Sequence, residues 1–219
     1  MKLIKKITIV LFLLLSLNTF AQKEINEGMI SMKITMSSDN DQINSSLAML
    51  GDMKTTTYFK GKKSVTLLSN PMSGSTSTII DNDKKEMLLL MDNPMMGKKY
   101  KKTPIESSEE DMKNITVKET GDTKTILGYK CKGYDVTINK NGTESKMTMY
   151  VTDKVTAPNQ QNWTLNKNIK GFPLYLTVNA KQGAFNITTT MEATEIKSEK
   201  VDNSKFDMTI PEGYTEMTN

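Results

Sequence analysis

Methionine offers this chain most of its candidate chemistry. The sequence holds 17 Met, with clusters at 29–36, 87–96 and 147–149. Thioethers are soft ligands that suit Cu(I), so clustered methionines could hold copper. On strands, however, Met32 and Met36 would share a face with Ile30 and Ile34. Met147 and Met149 would likewise share a face with Val151. That spacing favours side chains that fill a core or line a pocket. Met95 and Met96 remain the copper candidate.

Cys131 is the only thiol, and it lies between Lys130 and Lys132. Adjacent cations can lower the pKa of a thiol and make it reactive. On a strand, however, both lysines would point to the face opposite Cys131, and free Cys is usually buried. We therefore expect an inert, buried thiol.

Acidic residues occur in two runs, at 109–111 and at Asp81 and Asp83. Paired carboxylates can cleave glycosides, and the second run could contact Ca²⁺. Neither run has the surrounding residues that these chemistries need, because the second lacks the Gly and the distal Glu of an EF-hand loop. Acids in turns are common, so we read both runs as turn or surface residues.

The composition excludes several classes of protein. The chain has no His, no Arg and one Cys. Catalytic triads with His, imidazole metal ligands, CxxC redox chemistry and internal disulfides are therefore ruled out. No phosphate-binding loop or nucleophile elbow is present either. The sequence predicts a protein that is not an enzyme and has no cofactor or dedicated metal site.

Residues 1–21 have the features of a secretory signal peptide. Lys2, Lys5 and Lys6 precede an apolar stretch at 7–17, and Ala21 occupies a small-residue cleavage site. The rival interpretation is a membrane anchor, but the stretch is far shorter than the roughly 20 residues that span a bilayer. We expect one mature domain, 22–219, in the periplasm or outside the cell. Without the three leader lysines it is nearly neutral, which argues against nucleic-acid binding.

The mature chain reads as short strands joined by turns. Residues 28–36 alternate cleanly, and the apolar run 86–91 predicts a strand covered on both faces. Residues 39–50 have helical spacing, with Asp39 or Asp41 as the cap and Gly51 as the stop. Asn141-Gly142 is a strong hairpin signal. Short helices are also possible at 104–113 and at 158–166 around Trp163. We expect the lysines at 98–102 to occupy solvated strand ends and turns.

These elements predict a mainly β fold. Ten to twelve strands with hairpin-length connections form one curved antiparallel sheet or barrel. The two or three short helices should lie across the concave side, because an apolar concave face is not left in water.

Several stretches together resemble a known family. They are 125–132, 149–152, 171–174, 195–196, 201–206 and 210–214. Their order resembles an uncharacterised family of exported proteins from Gram-negative envelopes, a domain of unknown function distantly similar to the LolA/LolB-like periplasmic lipoprotein carriers. The resemblance covers Gly28 to Tyr214, and it implies a half-barrel whose helices plug the concave side. In the carriers that cavity holds acyl chains. Lys63 stands where the family pattern often has Arg, which puts any guanidinium role in doubt.

We therefore predict a non-enzymatic exported protein that binds a lipid or the acyl chains of a lipoprotein, with no membrane span once the leader is cleaved. The residues expected to line its cavity are Met32, Leu67, Leu89, Met147, Met149 and Leu176, with Ile34 and Ile187 in a wider inward set. The alternation does not say which face of each strand points inward. Two alternatives stay open: a solid-core module that binds a protein or envelope component, and a Met-based copper binder.

Overall fold

The computed structural model describes residues 23–51, 53–70, 74–105, 113–140, 143–158 and 169–217. The predicted leader at 1–21, nearly all of the two further helices expected from the sequence, and Trp163 lie outside these ranges. Within them the chain forms twelve strands, one α-helix and one 3-10 turn. The elements are β1 Glu27–Ser38, α1 Asp41–Ala48, β2 Met53–Lys60, β3 Lys63–Asn70, β4 Gly74–Asp81, β5 Glu86–Asn93, β6 Gly97–Pro104, β7 Ile115–Ile126, β8 Tyr129–Lys140, β9 Thr143–Thr152, β10 Phe172–Gln182, β11 Phe185–Lys197, the 3-10 turn Asn203–Phe206 and β12 Thr215–Glu216.

All twelve strands belong to one open sheet, in the order β12-β6-β5-β4-β3-β2-β1-β11-β10-β9-β8-β7. The first strand of the chain therefore lies in the middle of the sheet. Neighbouring strands are antiparallel, except that β12 runs parallel to β6. The ends of the sheet, β12 and β7, do not pair with each other, so the sheet is not a closed barrel. The predicted mainly β, antiparallel architecture is confirmed.

The strand register divides the side chains between two faces of the sheet. One face carries α1, and we call it the helix face. On it Ile34 of β1 pairs with Met53 of β2 on one side and with Met191 of β11 on the other. We call the opposite face the tail face, because residues 201–208 cross it near the C-terminus. The 3-10 turn, which the sequence did not predict, lies on the tail face and not beside α1.

The tail face of β3, β4 and β5 is covered by the C-terminal segment. Val65, Ile79 and Leu88 are in register and pack against buried Val201 and Phe206. The Lys205 ammonium lies 4.1 Å from the centre of the Tyr58 ring on the same face, which adds a cation–π contact. These contacts hold the tail across four strands before β12 joins the edge at β6.

The predicted strand at 28–36 is confirmed, and its first half is buried on both faces. Residues 28–32 are all buried, whereas 33–38 alternate between exposed and half-buried. The double burial follows from the central place of β1, where a core cluster that includes Ile30, Phe59, Val155 and Leu174 packs around it.

The predicted helix forms, but a different residue caps it. The Asn40 side chain accepts hydrogen bonds from the backbone N–H groups of Gln42 and Ile43, so neither Asp39 nor Asp41 is the cap. Asp39 instead accepts two hydrogen bonds from Asn186 at the start of β11. Gly51 follows the helix with a φ of 67°, the left-handed conformation that ends helices.

Two expectations for β5 and β6 were wrong. Only Leu88 of β5 is buried, and the rest of the strand is half-buried, so the apolar run is not covered on both faces. Residues 98–102 are not turns, because they form the body of β6. Lysines suit this strand because cross-strand partners neutralise them: Lys102 pairs with Glu86 at 3.1 Å and Lys98 with Asp92 at 3.7 Å.

Candidate ligand-binding face

Five of the six residues predicted to line a cavity share the helix face. Leu176 and Met149 are in register with Met191 and so with Ile34, and Met147 lies two positions from Met149. Met32 and Leu89 lie on the same face by the register through β2, β3 and β4.

Leu67 does not belong to this set. Its neighbour Leu68 is in register with Thr55 and so with Met32, which places Leu67 on the tail face, where it is 38% exposed. The error arose because residues 64–69 carry adjacent apolar residues at 67 and 68, so alternation could not decide between them.

The helix face of β8, β9 and β10 is a closed core. Met147, Met149 and Leu176 pack with Val136, Val151 and other apolar residues, and Ile169, just before β10, joins the cluster. Met149 is 0% exposed and Leu176 is 1% exposed. These predicted lining residues therefore face a packed cluster.

The helix face is more open beside α1. A cleft of about 470 Å³ lies between the helix and the ends of β1 and β2. Its lining residues are all uncharged, and they are Ile34, Thr35, Met36, Asn44, Leu47, Ala48, Gly51 and Met53. Ile34, Met36 and Met53 are half-buried, so apolar surface remains accessible inside the cleft.

The helix over this cleft is held to the sheet by side-chain hydrogen bonds, and just after its end the Asn70 amide donates to the Leu50 carbonyl at 2.9 Å. None of its residues is buried. Asn44 ties it to the end of β1, since it accepts from the Ser38 N–H at 2.7 Å and donates to the Ser38 carbonyl at 2.8 Å. The sequence predicted both the helix and the alternation of Ile34 and Met36, but not the cleft, because the cleft depends on how the helix turns back over the strand.

A second partly open apolar surface lies along β5. Met87, Leu89 and Met91 share the helix face and are all half-buried. Leu89 is thus the predicted lining residue that stays partly accessible in this half of the sheet.

The acidic run at 81–83 is structural. The Asp81 carboxylate is almost fully buried, accepts hydrogen bonds from the N–H groups of Asp83 and Lys84, and lies 3.3 Å from the Lys63 ammonium. Burial alone would raise the pKa of Asp81, but these hydrogen bonds and Lys63 outweigh it and hold that pKa below its usual value. Its carboxylate therefore caps the β4–β5 turn. Across the part of the chain that the structure describes, no group of three or more His, Cys, Asp or Glu could hold a metal ion.

Both members of the candidate copper pair are exposed. Met95 is 94% exposed and Met96 is 59% exposed, in the turn between β5 and β6. Their backbone N–H groups both donate to the Asn93 side chain, which fixes the turn and leaves the thioethers in solvent. Copper binding by this pair stays a prediction.

Cys131 is buried, as predicted, at 0% exposure in the central core. The cation closest in register is Lys124 on β7, while Lys130 and Lys132 are exposed. Burial raises the pKa of the thiol to about 11 and outweighs the hydrogen bond from the Ile126 N–H and the charge of Lys124, which lower it.

The Cys131 thiol should consequently react slowly in the folded protein. Near pH 8 we expect labelling by a thiol reagent at least about a hundredfold slower than in denaturant, because the reactive thiolate is scarce and inaccessible. Cys131→Ala should leave any ligand binding intact. Fast stoichiometric labelling of the native protein would show that the thiol is accessible and would restore it as a candidate site.

The fold and the cleft together define a single-sheet β protein with an uncharged cleft on one face. The chain belongs to a family described as a domain of unknown function, DUF4412, whose model matches residues 26–214. The predicted membership of a domain-of-unknown-function family is thereby confirmed. None of the curated proteins matches the chain.

Among solved structures, the chain is similar to the lipoprotein LppX of Mycobacterium tuberculosis. The two are 8% identical, and the match covers 80% of this chain and 90% of that chain with a TM-score of 0.32. In the described ranges, no helix has both the length and the apolar character needed to cross a membrane.

Proposed function

We propose that this chain is an exported, non-enzymatic protein that binds the apolar part of a lipid on the helix face of a sheet curved into a half-barrel. The cleft beside α1 carries the proposal. Its lining is uncharged, and three long apolar side chains are only half-buried there. An acyl chain would cover these side chains. Because the lining holds no charged group, the bound chain would not bury an unpaired charge.

The size and composition of the cleft support this role. A volume of about 470 Å³ lies within the usual range of small-molecule sites, roughly 300–1,000 Å³. Two of its residues, Met36 and Met53, have flexible side chains that adapt to ligands of different shape. None of the lining side chains can serve as a general acid or base near neutral pH, which supports binding over catalysis. The signal peptide predicted at 1–21 would direct the protein to the periplasm, with extracellular release as the alternative.

A second candidate function rests on a different observation. The packed cluster of Met149 and Leu176 leaves one half of the helix face closed, which favours a solid-core module that binds a protein or envelope component. The exposed pair Met95 and Met96 keeps copper binding as a third candidate.

The test uses an environment-sensitive apolar dye and the full mature chain. The dye should bind saturably, and a fatty acid or a lipoprotein should displace it. Met36→Gln and Met53→Gln place an amide in the cleft at nearly constant length, so each should weaken dye binding about fivefold to tenfold. Met95→Gln, a matched change on a fully exposed Met, should leave dye binding unchanged.

Melting curves of the three variants control for loss of folding. Absence of saturable dye binding to the parent protein would reject the lipid proposal in favour of the solid-core alternative. A stoichiometric copper adduct that Met95→Gln removes would favour the third candidate.

A further inference from the structure

Two buried hydroxyl groups on the helix face lack a hydrogen-bond partner among the described residues. They are Oγ of Ser64 on β3 and Oγ1 of Thr103 on β6. Ser64 as a whole is 1% exposed. Buried hydroxyls in folded proteins are nearly always paired, because an unpaired one has lost its hydrogen bonds to water without replacement. Two of them on one face therefore call for an explanation.

The register places both hydroxyls in one row across the sheet. Ser64 is in register with Ile80, Ile80 with Met87, and Met87 with Thr103. On its other side Ser64 faces Phe59, which is fully buried. The two hydroxyls are thus polar points in an otherwise apolar row, three strand spacings or roughly 14 Å apart along the sheet.

This row meets the partly open apolar stripe of β5. Met87 belongs to both, and Leu89 and Met91 continue the stripe toward the end of the sheet that carries α1. The helix face therefore combines hydroxyl donors at one end with accessible apolar surface that leads away from them. A molecule with polar acceptors attached to hydrocarbon chains matches this arrangement.

We propose that Ser64 and Thr103 donate hydrogen bonds to acyl carbonyl groups of a multiply acylated lipid whose chains lie along the β5 stripe. This inference rests on the proposed lipid-binding function and specifies its ligand class. Carbonyl oxygens accept hydrogen bonds and carry no charge, which suits hydroxyl donors in an apolar row. The spacing of roughly 14 Å is too wide for one carbonyl to reach both hydroxyls. Each hydroxyl therefore takes a different acyl group, which requires more than one acyl chain.

The experiment compares two matched ligands in mixed micelles: a medium-chain triacylglycerol and its tri-ether analogue, which lacks only the carbonyl groups. The parent protein should bind the ester about tenfold more tightly than the ether. Ser64→Ala and Thr103→Val should each reduce that preference, and the double variant should abolish it. Both single variants should also raise the melting temperature of the unliganded protein, because each removes an unpaired buried hydroxyl.

Thr57→Val is the matched control on the same face. The Thr57 hydroxyl is paired with that of Thr66 at 2.9 Å, so its removal should lower the melting temperature and leave the ester preference unchanged. Equal binding of ester and ether by the parent protein would overturn this inference while leaving lipid binding in place. A preference that survives in the double variant would also overturn it. Binding of neither ligand would overturn the proposed function itself.

Discussion

Met149→Glu should leave most of the chain unfolded. Met149 is 0% exposed, and its partner in register, Leu176, is 1% exposed. A carboxylate at position 149 would be buried among Tyr134, Val136 and Val151. An unpaired buried carboxylate costs several kcal/mol, comparable with the total stability of about 5–15 kcal/mol of a typical domain. Leu176→Glu should have the same effect for the same reason.

Thermal and urea unfolding measured by circular dichroism would check this. Lys146→Glu is the control, because Lys146 lies on the same strand with its side chain 69% exposed. Such a surface change should shift stability by less than about 0.5 kcal/mol. If Met149→Glu melts with the parent protein, the cluster is open to water, and this half of the helix face becomes part of the ligand site.

Gly171→Ala should cost about 3 kcal/mol or more. Gly171 has a φ of 108°, a conformation that L-residues rarely adopt, and a methyl group there would overlap the carbonyl oxygen of Thr152. The obstacle is backbone, so it cannot rotate away. Thr152 is 0% exposed and pairs with Phe172 at the start of β10, so neither strand can shift without disturbing the core.

The control for this change is Gly183→Ala. Gly183 also has a positive φ, 61°, but an added methyl group would meet nothing within 4 Å. Its cost should be limited to backbone strain of about 1–2 kcal/mol. Equilibrium unfolding of both variants separates the two effects. Equal losses would mean that the close approach to Thr152 contributes nothing.

The sequence predicts the local structure of this chain well because strands and turns have local signatures. The alternation at 28–36 and the hairpin between β8 and β9 both form as expected. Leu67 shows the limit of this approach. Because Leu67 and Leu68 are both apolar, the alternation along the strand fits either of them on the inward face. Only the pairing of β2 with β3 decides that Leu68 lies on the helix face. The strand β6 was missed because its lysines resemble a solvated turn until their cross-strand acids are known.

The candidate site was harder to predict than the strands. The cleft joins the end of β1 to α1 and the start of β2, so it depends on the direction in which the helix packs. The unpaired hydroxyls of Ser64 and Thr103 belong to strands whose side chains meet in one row only through β4 and β5. Neither the cleft nor the row that joins the two hydroxyls corresponds to a pattern of residues along the sequence.

The central position of β1 has a consequence for the rate of folding. Short connections join β2 through β6, β7 through β9, and β10 with β11, so these groups can form from local hairpins, whereas α1 separates β1 from β2 and residues 153–171 separate β9 from β10. The pairing of β1 with β11 is far less local, because the Thr194 hydroxyl donates to the Ser31 carbonyl across 163 positions of the chain. Such distant pairing carries a large loop-closure entropy, and proteins dominated by it fold slowly. Until β11 has been synthesised, one side of β1 has no strand partner, so the sheet can be completed only after the last long strand of the chain is present.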